Sequence, residues 1–109
     1  MRHHKTPDGR YFVHNGHIWR CTNPSLDEFE TMRLVKELMD ARRAVKSAKA
    51  TDDAVALALA RRNVNKAKIA LGERGPTWWG DEPDYNRQLI RNTPYADWWS
   101  KQLLKERMP

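Results

Sequence analysis

The chain reads as mainly α: a long antiparallel αα-hairpin, preceded by an N-terminal two-stranded β-hairpin and followed by a Trp-rich C-terminal helical segment. Three observations predict this. Asn15-Gly16 sits between two β-branched and aromatic runs. Two apolar stripes with a seven-residue repeat flank Thr51-Asp52-Asp53. Beyond Gly75 the composition shifts to turn residues and the tryptophan doublets Trp78-Trp79 and Trp98-Trp99.

The β-hairpin comes first. Arg10 to His14 and His17 to Cys21 have strand composition, and Asn-Gly suits a type I′ turn because both of its central residues need positive φ. Pairing across that turn puts Phe12, His14, His17, Trp19 and Cys21 on one face and Tyr11, Val13, Ile18 and Arg20 on the other. Two strands alone are marginal, so one aromatic face must pack against something helical.

The first long helix is expected to start at Ser25-Leu26-Asp27-Glu28, read as a capping box in which the Ser25 hydroxyl takes the Glu28 amide. Leu34, Leu38, Ala41, Val45 and Ala48 advance 4-3-4-3 and keep one face apolar. Thr51-Asp52-Asp53 interrupts and offers a new cap. Leu57, Ala60, Val64, Ala67 and Leu71 then advance 3-4-3-4, and Gly72 suits the position after the helix end. Matching seams across a short connection predict antiparallel helices, with alanines allowing close approach. Gly75 to Pro83 reads as an aromatic connector. A short helix from Asp84 to Arg91 is expected next, and then Thr93 capping a last helix that begins at Pro94. This tail should fold back over the hairpin. The expected division is a single domain with a β-hairpin arm (1–24), the αα-hairpin (25–75), and the connector with C-terminal helices (76–109).

Composition bounds the function. The 109 residues carry 20 Lys+Arg and 14 Asp+Glu, a net charge of +6. That length suits one domain. The longest unbroken apolar run, Ala54 to Ala60, falls far short of the ~20 residues a spanning helix needs. Met1-Arg2-His3-His4-Lys5 leads into a turn rather than an apolar stretch, so no secretory signal is expected. Cys21 is the only cysteine and cannot staple a monomer, which fits a reducing compartment. These features argue against a multidomain enzyme, a transporter and a disulfide scaffold, and for a soluble, basic, cytoplasmic module.

The charge is unevenly placed. Residues 1–24 carry +3, 25–50 +1, 51–75 +2 and 76–109 none. Between Ala41 and Lys68, Arg42, Arg43, Lys46, Lys49, Arg61, Arg62, Lys66 and Lys68 face only Asp52 and Asp53. That window alone amounts to +6. Ser25 to Asp40 is the acidic counterpart, with Asp27, Glu28, Glu30, Glu37 and Asp40 against Arg33 and Lys36.

Several stretches resemble a family of short, uncharacterised bacterial proteins that sometimes carry the label Tol-type biopolymer transporter. They are Lys5 to Val13, Trp19-Arg20, Glu37 to Val45, Leu71 to Pro76, Pro83 to Arg87 and Arg91 to Trp98. The resemblance covers most of the chain. It implies a bacterial protein and no activity, cofactor or site residues.

Four constellations carry the functional question. The eight cations of the basic window could follow a phosphate backbone, with Arg42/Arg43 and Arg61/Arg62 at matching heights on the two helices. The plainer reading is a solvated face. Trp78, Trp79, Trp98 and Trp99 could stack bases or anchor a protein partner, against the plainer reading of core packing. A metal site can be drawn from His14 and His17 with His3 or His4. It lacks a Cys/His quartet at ligand spacing, so exposed turn histidines and no metal are expected. Asp81, Asp84, Tyr85 and Asn86 could furnish an acid or base, yet no nucleophile pair or Gly-rich phosphate loop accompanies them. Capping and packing explain these residues without chemistry. The expectation is therefore a non-enzymatic accessory protein without cofactor or membrane association, binding nucleic acid through the basic face of the helical hairpin. The alternative is a protein-interaction module (adaptor, inhibitor or regulatory subunit) that uses the tryptophans and the charge polarity, its partner being acidic.

Overall fold

The computed structural model describes residues 3–80 and 83–107. Met1, Arg2, Asp81, Glu82, Met108 and Pro109 lie outside the described residues. In chain order the elements are β1 (Tyr11–His14), β2 (His17–Arg20), α1 (Glu28–Ala50), α2 (Ala54–Leu71), a 3-10 turn (Ile90–Asn92) and α3 (Ala96–Arg107). Two compact units result: residues 1–21 with 81–109 form one, and residues 22–80 the other. The β-hairpin arm thus shares a unit with the C-terminal segment, while the αα-hairpin keeps the aromatic connector.

In the first unit, β1 and β2 pair antiparallel with Tyr11 opposite Arg20, Phe12 opposite Trp19, Val13 opposite Ile18 and His14 opposite His17. Asn15 and Gly16 take φ of 53° and 74°, as a type I′ turn requires. The face with Tyr11, Val13, Ile18 and Arg20 is the buried one; Tyr11 and Ile18 are fully so. Both edges of this pair are occupied. Lys5 bridges Phe12 on one side, where the Val13 amide donates to the His4 carbonyl at 2.9 Å. On the other side Leu89 bridges His17, and the Arg87 amide donates to Ile18 at 2.7 Å.

That second edge explains why the expected helix from Asp84 to Arg91 does not form. Residues 87–90 donate to and accept from β2 and the Gly16 turn, and Arg87 sits at φ 73°, outside any right-handed helix. Pairing with β2 outweighs local propensity, and only Ile90–Asn92 coils, as a 3-10 turn. Thr93 keeps its capping role: its hydroxyl accepts from the Tyr95 amide at 3.3 Å, although the regular helix begins at Ala96.

Polar contacts lock the C-terminal segment onto the hairpin. Arg20, its side chain 4% exposed, places Nη2 2.6 Å from Asp84 Oδ2. The Tyr85 amide donates to the Tyr11 hydroxyl at 2.8 Å, and the Tyr95 hydroxyl donates to Asp8 at 2.6 Å. The rings of Tyr11, Tyr85 and Tyr95 pack on one another. Burial pushes the Asp84 carboxyl up, but the Arg20 guanidinium, the Asn86 amide and Tyr11 outweigh it and hold it below its ordinary value. Asp8 is balanced likewise: bonds from Tyr95, Thr6 and Arg10 overcome its burial. Burial raises Tyr11 and Tyr95, and for Tyr95 the neighbouring Asp8 adds to it.

In the second unit α1 and α2 pack antiparallel. The cap of α1 is Asp27, not Ser25: its Oδ1 accepts from the Glu30 amide at 2.7 Å. Ser25 is drawn off because its own amide donates to Asn23 Oδ1 at 2.9 Å, keeping residues 23–26 in a turn. Leu26 then packs against the core, which fixes where the chain can turn into helix. Asp53 caps α2 by accepting from the Ala56 amide, and Gly72 ends it at φ 84°. The seam is as the spacing predicts. Leu34, Leu38, Ala41, Ala48, Ala60, Ala67 and Leu71 are buried, and the four alanines let the backbones approach.

Candidate nucleic-acid interface

The two seams leave a groove along each side of the αα-hairpin, and the two grooves differ in charge. One, of about 380 Å³, is lined by Arg42, Val45, Arg61, Val64 and Arg74. The other, of about 390 Å³, is lined by Glu37, Asp40, Ala41, Ala44, Asn63, Lys66 and Ala67. The cause is helical arithmetic. On α1 the positions flanking the seam are 42 and 49 on one side and 37, 40 and 44 on the other. On α2, positions 61 and 68 join the first side, and 63 and 66 the second.

The expected basic face is therefore divided by the fold. Arg42 and Arg61 come together on one groove at matching heights. Lys49 and Lys68 stand seven residues from them on the same side, Lys49 exposed and Lys68 half-buried. Lys66 lines the opposite groove beside two carboxylates. Arg62 lies on the outer face of α2 with Ala54, Val55, Ala58 and Leu59. Arg43 is exposed on the outer side of α1 and pairs with Asp40, which also takes Lys36 at 3.0 Å. Those bonds, Lys36 first, hold the Asp40 carboxyl below its ordinary value. Lys46 is exposed on the same outer side.

Arg74 lies outside the window that the charge count singled out. It reaches the groove because Gly72 turns the chain back at the end of α2, and its Nη1 then donates to Asn65 Oδ1 at 3.3 Å. A glycine just past a helix end, followed two residues later by an arginine, was the available signal. Three guanidiniums over two valines make a cationic groove with an apolar floor and no carboxylate among its lining residues. Guanidinium forks match phosphate oxygens, and arginine is weakly enough hydrated to be used against apolar surface.

Trp78, Trp79, Trp98 and Trp99 are all half-buried, and none belongs to the buried core. Trp78 and Trp79 meet edge-to-face with ring centres 4.9 Å apart; Trp98 and Trp99 are tilted at 6.0 Å. The histidines are spread among different partners. His3 packs against Phe12 and His14, His4 Nε2 lies 2.5 Å from Glu106 Oε1, and His17 Nδ1 donates to the Arg87 carbonyl at 2.8 Å. Among the described residues no cluster of three or more His, Cys, Asp or Glu could hold a metal ion. Asp84, Tyr85 and Asn86 are engaged with Arg20 and Tyr11. Asp81 lies outside the described residues. No helix among the described residues is long and apolar enough to cross a membrane.

No protein-family model, curated protein or solved structure matches the chain.

Proposed function

We propose that the αα-hairpin binds nucleic acid along the groove of Arg42, Arg61 and Arg74, with Lys49 and Lys68 extending the contact toward either end. The observation that carries this reading is the convergence of three arginines, from two helices and the turn that follows α2, on one groove without a carboxylate. Such a site reads charge and spacing rather than base edges, so binding is tolerant of sequence and governed by counterion release. Five phosphate contacts give a salt slope of about −4.5 on duplex DNA, hence about a 500-fold loss of affinity between ~50 and ~200 mM salt. Fluorescence anisotropy with duplex and single-stranded oligonucleotides tests this. The triple change Arg42→Ala, Arg61→Ala, Arg74→Ala should flatten the slope by about 2.7. Absence of binding at ~50 mM salt would overturn the reading.

A second reading, a protein-interaction module with an acidic partner, is favoured by the part-exposed tryptophans. Aromatic side chains with one open face are the usual anchors of such contacts. It calls for a stoichiometric complex that survives nuclease treatment and is lost when Trp78 and Trp79, or Trp98 and Trp99, are changed to Ala.

A further inference from the structure

The outer face of α1 carries apolar side chains that the packing against α2 leaves bare. Phe29 is 84% exposed, Met32 62% and Met39 52%, with Val35 at their margin. They recur every three or four residues, so they form one ridge on the side of the helix away from Leu34 and Leu38. An ordered apolar ridge of this kind marks a surface that another chain covers.

The charges along the ridge say which chain. Met32 and Met39 stand one heptad apart, and the seam they define continues through Glu28 at one end and Arg43 at the other. The face is acidic at its N-terminal end and basic at its C-terminal end; between them the apolar side chains flank Lys36, whose ammonium is tied back to Asp40 of its own helix at 3.0 Å. Arg43 shares Asp40 with Lys36, so this end keeps a surplus positive charge. A helix patterned in that way complements itself when reversed. With a two-fold axis between Val35 and Lys36, Met32 faces Met39 of the second copy and Glu28 faces its Arg43, each contact made twice. A parallel copy would instead set Glu28 against Glu28 and Arg43 against Arg43. Reversal also opposes the helix dipoles favourably.

We infer that the ridge of Phe29, Met32 and Met39 docks a second copy of this chain, α1 packing antiparallel on its symmetry mate with Glu28 paired to Arg43 across the axis. Light scattering after size exclusion, at up to roughly 200 µM protein, tests it by mass action. The mass should rise with concentration toward twice the 12.8 kDa of the chain. Met32→Lys with Met39→Lys should remain at the single-chain mass with unchanged helical circular dichroism. Glu28→Arg alone and Arg43→Glu alone should each be monomeric, because each sets like charges together. Mixing those two variants should restore a dimer, since each then supplies what the other lacks. Mass is read without any ligand, so this outcome is separable from nucleic-acid binding. A wild-type chain that stays monomeric throughout, including one that goes to anionic vesicles instead, would overturn the inference. So would a dimer that ignores the methionine changes, or a mixture that fails to pair.

Discussion

Replacing Asp84 by Asn isolates the interaction that ties the C-terminal segment to the β-hairpin. The change keeps the side chain's shape and an oxygen able to accept from the Asn86 amide, and removes the charge opposite Arg20. Breaking a fully buried pair costs about 3–5 kcal/mol, because the remaining ion is left uncompensated. Here Arg20 is buried, but the Asp84 side chain is 37% exposed, so water screens the pair and reaches the guanidinium from that side. The expected loss is therefore about 2 kcal/mol at pH 7, between the buried and surface limits. The pH dependence sharpens the test. The folded state holds Asp84 below its ordinary value. The stabilisation is thus complete above the unfolded carboxylate range near pH 4 and fades as pH falls through the folded value. Wild type and Asp84→Asn should then differ at pH 7 and converge near pH 2, while Asp8 titrates alike in both. Denaturant melts followed by tryptophan fluorescence give the stabilities, and hydrogen exchange at the Arg20 and Asn86 amides localises the loss. A variant within ~0.5 kcal/mol of wild type at pH 7, or a gap undiminished in acid, would refute the reasoning.

Gly72→Ala should destabilise the αα-hairpin by about 2 kcal/mol, from the positive φ and from contact of the new Cβ with Trp78 and Asn23. That Cβ would lie 2.9 Å from Trp78 Cδ1, so a shift in the indole emission should accompany the loss. At the alkaline end, Tyr11 and Tyr95 are raised, so their stabilisation holds below pH ~10 and is lost as pH rises through the folded values. Tyrosinate absorbance and loss of structure should therefore rise together, and ionisation of both rings in a still-folded chain would contradict the packing described.

Elements governed by near neighbours were legible in the chain. Asn15-Gly16 dictated the strand register, and the heptad spacings placed every buried residue of α1 and α2. What failed depended on distant partners. Residues 87–90 have nothing local that announces pairing with β2, and Ser25 lost its capping role to a turn at Asn23 that is anchored from afar, by the Leu71 carbonyl and by the packing of Leu26 on the core. The basic window was visible as a count, but helical phase distributes its cations over several sides. Only Arg42 and Arg61 share the candidate groove, and Arg74 joins them through the reversal at Gly72.

The order of the two units along the chain has a consequence for how the protein folds. Residues 22–80 are continuous and make mostly local contacts, whereas the other unit needs both chain ends. The pairing of Ile18 with Gln88 closes a loop of roughly 70 residues in an unstructured chain. Once α1 and α2 have formed, the Asn23 amide donates to the Leu71 carbonyl at 2.8 Å, and the two exits of the αα-hairpin are held together. The free length left to close falls to about 20 residues, a saving of about 1 kcal/mol in loop entropy. The helical hairpin thus acts as a clasp within the chain, and the docking of residues 87–90 on β2 is the step that its closure makes easier.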